Sequence, residues 1–226
     1  MKATKSESHK VTSLKNKRIL ITAGPTWVPV DHVRVISNIA TGQTGILLAE
    51  KLIRLGAKVT LLLGPVSACC ISKKIRLIRF RFFDELKKRL ICEVKTGKYD
   101  CLILSAAVSD YRLKRPLVSK VCSDKKNWRL DLVPNEKIID GVKRADRSLV
   151  LAGFKYEPGV DRTRLLKEAK KLIKRTEADM IVANTARGRR YCAYLVSKDK
   201  VSGPWTGKDI MAESLIRQIG AALCRD

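Results

Sequence analysis

The sequence predicts an α/β protein with a Rossmann-like, mainly parallel sheet flanked by helices and a β-arm or flap insertion. Short apolar runs, each closed by turn residues, alternate with segments whose apolar residues have helical spacing. A polar, basic stretch then interrupts this alternation. With 226 residues, 45% of them hydrophobic, the chain is long enough to build one substantial core.

The first two strands and the helix between them have the clearest signals. Residues 18–23 and 58–63 are short β-branched or leucine-rich runs that end at Gly-Pro pairs, which is typical of buried parallel strands. Between them, residues 42–55 have apolar side chains at helical spacing, and Gly56 ends the helix.

The same alternation continues to the carboxyl terminus. We predict strands at 75–80, 100–105, 149–154 and 180–183, and helices at 83–95, 163–176 and 209–223. Right-handed crossovers would align the carboxyl ends of the strands along one edge of the sheet, where ligands usually bind.

The predicted domain organisation is simple. Residues 1–13 form a disordered polar tail, and 14–226 form a single domain. A flap at about 112–131, whose Trp128–Leu132 portion alternates like an exposed strand, and a hairpin at about 191–202 are expected to lie outside the main sheet. They are candidates for a mobile flap and a dimerisation arm.

The formal charge of +25 favours an anionic partner. Nucleic acid would require a concentrated basic face, often with exposed aromatic residues, but the basic residues are spread along the chain and aromatics make up only 5%. Small polyanionic substrates and a simple solvated surface remain as alternatives. No apolar run is long enough to span a membrane, and the polar start lacks a signal peptide, so we expect a cytoplasmic protein.

The seven cysteines and two histidines have no metal-ligand spacing, so we do not expect a zinc site. Several cysteines, such as Cys101, lie within apolar runs and are predicted to be buried free thiols.

The first strand and helix raise the possibility of dinucleotide binding, but their glycine spacing is wrong. Gly24 ends the strand, whereas Gly42 and Gly45 open the helix only after a long loop. A dinucleotide fold needs a tight turn there. The helix start can still bind an anion through free N–H groups. An NAD(P)-dependent oxidoreductase is kept as the alternative function.

An ordered series of motifs along the chain resembles the phosphopantothenate–cysteine ligases. The matching segments are 20–26, Val30-Asp31, Val33-Arg34, 36–38, Gly42, Gly45, 56–61, 64–66, 105–112, Lys120, 132–135, Ile138, Gly153-Phe154, Glu157 and 179–184. No single motif is specific, but the series covers nearly all of the chain from Leu14 onward, in order.

The resemblance implies a monofunctional, bacterial-type ligase of coenzyme A biosynthesis. Such an enzyme joins 4′-phosphopantothenate to L-cysteine through an acyl-nucleotidylate, with CTP as co-substrate and Mg²⁺ as cofactor, and releases CMP and pyrophosphate. It also implies a homodimer and, because only a short tail precedes the first strand, a separate flavin-dependent decarboxylase downstream in the pathway.

By the same resemblance, three residues are catalytic. Asn38 would hold the carbonyl or phosphate of the acyl-cytidylate during amine attack, Arg34 would clamp a phosphate or carboxylate, and Lys120 would neutralise the α-phosphate when the flap closes. The residues predicted to bind the nucleotide are Gly24, Thr26, Gly42, Gly45, Ala106, Ala107, Asp110, Phe154 and Asn184, with Asp110 also a candidate magnesium ligand.

The sequence departs from the family pattern at the phosphate-binding positions. Gln43 replaces a lysine after Gly42, Cys122 interrupts the lysine-rich flap motif so that Lys125 and Lys126 are shifted onward, and Thr185 replaces an aspartate after Asn184. These departures leave ATP open as an alternative to CTP.

Overall fold

The computed structural model describes residues 14–67, 71–117, 119–124, 126–188 and 190–224. Their strands are β1 (Arg18–Ala23), β2 (Trp27–Pro29), β3 (Val35–Ser37), β4 (Lys58–Leu63), β5 (Arg76–Arg79), β6 (Cys101–Leu104), β7 (Tyr111–Leu113), β8 (Leu132–Pro134), β9 (Val150–Tyr156), β10 (Met180–Arg187), β11 (Arg190–Ser197) and β12 (Val201–Trp205). Their α-helices are α1 (Gln43–Arg54), α2 (Phe83–Lys95), α3 (Val142–Ala145), α4 (Arg162–Thr176) and α5 (Lys208–Leu223), and a 3₁₀ turn at Ile138–Gly141 precedes α3.

Eight strands form the main sheet in the order β12-β11-β10-β9-β6-β1-β4-β5. The six strands from β10 to β5 are parallel, and β11 and β12 extend the sheet in antiparallel pairing. The predicted Rossmann-like, mainly parallel sheet is therefore confirmed. The strands predicted from the apolar runs are all present, and their bounds mostly shift by one or two residues.

Each face of the sheet is buried by its own set of helices. Ile19 and Ile21 point into a core formed with α1 and α5, whereas Leu20 points into a core formed with α2, α3 and α4. Because successive side chains of a strand alternate between faces, a continuous apolar run is what a strand covered on both sides requires. Burying one such leucine or isoleucine contributes roughly 1.5–3 kcal/mol.

The hairpin predicted to lie outside the main sheet is instead part of it. β11 pairs with β10 along its full length, from Met180 opposite Ser197 to Arg187 opposite Arg190. The prediction was wrong because residues 191–196 form an almost wholly apolar run that is covered by helices on both faces of the main sheet. In the structure, Ala193 and Leu195 pack in the core with α5, and Tyr194 and Val196 pack in the core with α4.

The flap region, by contrast, does lie apart from the main sheet. Its short β7 pairs antiparallel with β8, in a separate two-stranded sheet. The strand predicted at 128–132 is absent, because only Leu132 of that range is paired. The loop between β1 and α1 also contains structure that was not predicted, since β2 and β3 form a small hairpin there.

Several predictions concern cysteines and the chain ends. Cys101 is a buried free thiol as predicted, but Cys92, Cys122 and Cys224 are exposed. The predicted tail at 1–13, together with Cys69 and Cys70, lies outside the described residues. Among the described helices, none has the length and apolar content needed to cross a membrane.

Candidate active site

The loops after β1 and β6 meet at the carboxyl edge of the sheet, around Ala107. The Ala107 N–H donates to the Gly24 carbonyl at 2.9 Å, and the Thr26 N–H donates to the Ala107 carbonyl at 3.3 Å. The Thr26 hydroxyl, fully buried, accepts from the Ser109 N–H at 2.8 Å. Three of the predicted nucleotide-binding residues are therefore joined directly in one backbone network.

Asn38 reaches this network from the end of β3. Its side-chain Nδ2 donates to the carbonyl oxygens of Ala107 and Val108 at 3.2 and 3.4 Å. The side chain is exposed. Since both N–H groups of the amide already have acceptors, its carbonyl oxygen is the atom left to accept from a ligand.

The start of α1 packs directly on the same edge. Gly42 has a left-handed φ of 72°, which favours glycine. A Cβ on Gly45 would lie 2.4 Å from the Ala23 Cβ and 2.7 Å from the Ser105 Oγ, so only glycine allows this approach. The first helical turn is thereby held against the ends of β1 and β6, and its N–H groups give that edge a positive potential.

A lysine from α5 lies at the start of α1. Lys208 Nζ donates to the Gln43 Oε1 at 3.4 Å, across 165 residues of sequence. The sequence offered no signal for this cation, because the contact depends on the antiparallel course of β12, which was predicted outside the sheet. A positive charge is therefore present at the position where Gln43 was expected to weaken phosphate binding.

Arg34 lies in the turn between β2 and β3 and pairs with Asp31. Its Nη1 is 2.7 Å from the Asp31 Oδ2 and 3.3 Å from the carbonyl oxygen of Val121. Burial alone would raise the pKa of Asp31, but N–H donors from Val33, Val121 and Arg34, with the charge of the Arg34 guanidinium, hold that pKa below its usual value. Asp31 therefore stays ionised, and Arg34 is partly neutralised by it.

Asp110 is the only carboxylate among the predicted site residues. It is exposed and forms an ion pair with Lys137, and the carbonyl of Asp110 accepts from the Asn135 N–H at 2.8 Å. The described residues contain no cluster of three or more metal-ligating side chains. Mg²⁺ commonly binds one or two carboxylates together with substrate phosphates, so this single carboxylate fits an ion that arrives with a nucleotide.

Phe154 and Asn184 lie on neighbouring strands of the same edge. Leu104 pairs with Gly153, so Phe154 lies beside the start of the loop that contains Ala106 and Ala107. The Asn184 Oδ1 and the Thr185 Oγ1 are buried, and neither has a hydrogen-bond partner among the described residues. Buried polar atoms normally have partners, so a ligand or water is expected there.

Lys120 is the predicted site residue that the structure leaves least connected to the others. It is exposed in the flap, next to Val121, whose backbone contacts Asp31 and Arg34. Lys125 lies outside the described residues.

The sequence of residues 14–222 matches the family model of the DNA/pantothenate metabolism flavoprotein C-terminal domain. The chain belongs to this family. It is 37% identical, over 175 residues, to the coenzyme A biosynthesis bifunctional protein CoaBC of Thermococcus kodakarensis, in an alignment that covers 77% of this chain and 43% of that relative. The chain spans about half the length of the curated relatives it matches, with 43%, 47%, 52% and 51% covered in the first four.

Solved members of the family have the same fold over almost their whole length. The DNA/pantothenate metabolism flavoprotein from Streptococcus pneumoniae superposes with a TM-score of 0.82 at 26% identity, covering 91% of this chain and 99% of that one. The C-terminal domain of a coenzyme A biosynthesis bifunctional protein CoaBC gives 0.79 at 28% identity, covering 95% and 100%. The main sheet and its helices are therefore the fold that this chain shares with these two proteins.

The connection between β1 and α1 also bears on the alternative function, an NAD(P)-dependent oxidoreductase. Between β1 and α1 the chain forms the β2–β3 hairpin instead of a tight glycine turn. A dinucleotide needs that turn so that its pyrophosphate meets the helix start directly. Here the hairpin instead places Asn38 beside Ala107, as expected for a site in which the loop itself contacts the ligand.

Proposed function

We propose that this chain is a phosphopantothenate–cysteine ligase of coenzyme A biosynthesis. The observation that supports it most is the Asn38 amide, which is fixed on the carbonyls of Ala107 and Val108 at the carboxyl edge of the sheet. Family membership and the coenzyme A biosynthesis proteins at 37% and 28% identity support the same pathway.

In the proposed reaction a carboxylate oxygen of 4′-phosphopantothenate attacks the α-phosphorus of CTP and pyrophosphate leaves. The cysteine nitrogen then attacks the acyl carbon, the C–O bond to the phosphate breaks, CMP leaves, and the amine gives up a proton. The first step gathers several anions, so it needs cations and N–H donors. Around the site these are the α1 N–H groups, Arg34, Lys120, Lys137 and Lys208.

Asn38 suits the second step because an amide can both donate and accept without titrating. Its free oxygen would accept from the attacking amine. For the amide N–H to hold the acyl carbonyl or phosphate, one of its two bonds to Ala107 and Val108 would have to be exchanged. Both bonds are long, at 3.2 and 3.4 Å, so this exchange has a low cost.

The nucleotide would bind between the loops after β1, β6 and β9, with Ala106, Ala107 and Phe154 around the base and Gly24, Thr26, Gly42 and Gly45 shaping the phosphate side. Mg²⁺, when bound through Asp110, would neutralise phosphate charge. Asp110 would first have to release Lys137, which would then be free to bind an oxygen of the nucleotide. The buried Asn184 Oδ1 supplies an unused acceptor at the ligand edge.

The oligomeric state, the location in the cell and the next enzyme of the pathway are proposed on the basis of the same ligase function. We expect a cytoplasmic homodimer, and a flavin-dependent decarboxylase that consumes the product. The exposed β12 edge and the β7–β8 flap are the segments available for pairing with a second copy.

The direct test is the release of CMP and pyrophosphate by the purified chain, with CTP and ATP compared at equal concentration. Pyrophosphate release should require phosphopantothenate and Mg²⁺, and CMP release and amide formation should also require cysteine. Nucleotide turnover that proceeds without phosphopantothenate would contradict the proposal.

A further inference from the structure

The carboxylate of Asp31 is buried in a turn and uses both of its oxygens. Its side chain has no exposed surface. Oδ1 accepts from the N–H groups of Val33 and Arg34 at 2.9 Å each, which closes the turn between β2 and β3. Such local contacts need only one oxygen, and asparagine would make them equally well.

The second oxygen of Asp31 binds a segment far away in the sequence. Oδ2 accepts from the Val121 N–H at 3.2 Å, across 90 residues, and from the Arg34 Nη1 at 2.7 Å. The same Nη1 donates to the Val121 carbonyl at 3.3 Å. Asp31 and Arg34 thus bind both backbone polar groups of Val121, the residue that follows Lys120.

Arg34 also holds the returning part of the flap. Its Cζ lies 5.1 Å from the ring centroid of Trp128, within the range of a cation–π contact. We refer to Asp31, Arg34, Val121 and Trp128 together as the flap clasp. It joins the β2–β3 turn, which leads through β3 to Asn38, to the loop that contains Lys120.

We propose that Asp31 is a positioning residue, which docks the flap through Val121 and thereby sets the place of Lys120 at the active site. This rests on the proposed ligase function for its catalytic consequence, but the docking itself does not. An ionised, buried carboxylate is costly unless each of its oxygens is satisfied. Of the four donors to Asp31 among the described residues, the Val121 N–H belongs to the flap, and the Arg34 Nη1 itself contacts the Val121 carbonyl.

The discriminating substitution is Asp31→Asn. The amide oxygen can keep the two turn contacts at Val33 and Arg34, while the –NH₂ group would face the Val121 N–H and the Arg34 guanidinium, which are all donors. Asp124→Asn is the matched control, because it makes the same change at an exposed carboxylate in the same flap.

The first measurement is hydrogen–deuterium exchange of the ligand-free chain. We expect exchange at Val121 and across residues 119–128 to rise about 10- to 100-fold in Asp31→Asn, the equivalent of losing a bond to a charged group, and to be unchanged in Asp124→Asn. Trp128→Leu, which leaves the turn intact, should raise exchange in the same segment and provides the test if Asp31→Asn folds poorly.

The second measurement separates positioning from general stability. In Asp31→Asn, formation of the acyl-nucleotidylate should fall about 10-fold or more, while the KM for cysteine stays unchanged. Val121 exchange equal to wild type in both Asp31→Asn and Trp128→Leu would overturn the docking. Raised exchange with an unaltered first half-reaction would overturn the positioning of Lys120. A wild-type chain with no ligase turnover would refute the function while the exchange result still decides the docking.

Discussion

Asn38 donates both of its side-chain N–H groups to backbone carbonyls, so its place is fixed before any ligand binds. Asn38→Ala should therefore leave the first half-reaction nearly intact and slow amide formation about 100- to 1,000-fold, as the loss of one polarising group does in acyl transfer. Rapid quenching and chromatography should find the acyl-cytidylate accumulating. Ser37→Ala, at the exposed neighbouring residue, is the control, and unchanged amide formation in Asn38→Ala would refute the role.

Gly45 has no room for a side chain at the site. The added methyl group of Gly45→Ala would lie 2.4 Å from the Ala23 Cβ, and neither the strand nor the helix can move away easily. We expect a loss of about 1–3 kcal/mol in the free energy of unfolding, larger than the gain in helix propensity. Thermal unfolding measures it. Gly141→Ala is the control, because a Cβ there meets nothing within 4 Å and should cost little.

The ordered series of motifs in the sequence predicted those site residues whose contacts depend on nearby residues of the chain, such as Gly45 and the turn at Gly24. It did not predict the contact of Asp31 with Val121 or that of Lys208 with Gln43, because these partners lie 90 and 165 residues apart in the sequence. A carboxylate followed three residues later by an arginine indicates only a turn with a local ion pair. The contact with Val121 exists only after the flap folds back over that turn.

At the scale of the elements, the sheet was predictable where its strands are parallel and buried, as with β1, β4 and β6. The hairpin of β11 and β12 was misplaced, since a short apolar run does not by itself tell which sheet a strand joins. The flap could be located from its proline and charge. The fold of the flap could not be predicted, because β7 and β8 are only three residues long and pair with each other in a separate two-stranded sheet.

Helix α2 is tied to β5 by a network that gives the sheet edge a pH dependence. Arg76 on β5 donates to both carboxylate oxygens of Glu93 at 2.8 and 2.9 Å. The hydrogen bond from Arg76, opposed by burial and assisted by the Tyr99 hydroxyl, lowers the pKa of Glu93 from its ordinary value of 4.5. The Arg76–Glu93 pair therefore stabilises the fold above pH 4.5. Its contribution is lost as the pH falls through the lowered pKa that Glu93 has in the folded state.

Glu93→Gln should lower the free energy of unfolding at neutral pH by roughly 1 kcal/mol, because Arg76 is largely exposed and the pair is screened. It should also flatten the decline of stability in acid. Urea titrations at pH 7 and pH 3.5 would measure both effects. Asp199→Asn, at an exposed acid in the turn between β11 and β12, should change neither, and an acid decline equal to wild type in Glu93→Gln would contradict the assignment.

For the whole molecule, part of the excess positive charge is concentrated at two places. Seven residues of α4 are basic, all of them exposed, and one is acidic, so this helix alone accounts for six of the net charges. It packs with α2 and α3 on one face of the sheet. A smaller set, which includes Arg34, Lys120, Lys137 and Lys208, belongs to the active-site edge. Only this second set is expected to act on small anionic substrates.

Salt should therefore affect the substrates unequally. CTP and 4′-phosphopantothenate are polyanions, whereas cysteine is a zwitterion without net charge near neutral pH. Screening shortens the range of charge interactions from about 10 Å at 0.1 M to about 3 Å at 1 M salt.

We expect the KM values of CTP and 4′-phosphopantothenate to rise about 3- to 10-fold between 0.05 and 0.5 M KCl, and the KM of cysteine to change less than about two-fold. Initial-rate measurements with each substrate varied in turn would test this, with cysteine as the internal control. Equal changes for all three would mean that the charge acts on the protein as a whole. A preference for nucleic acid would appear instead as saturable, steeply salt-dependent binding of a labelled duplex that persists at physiological salt.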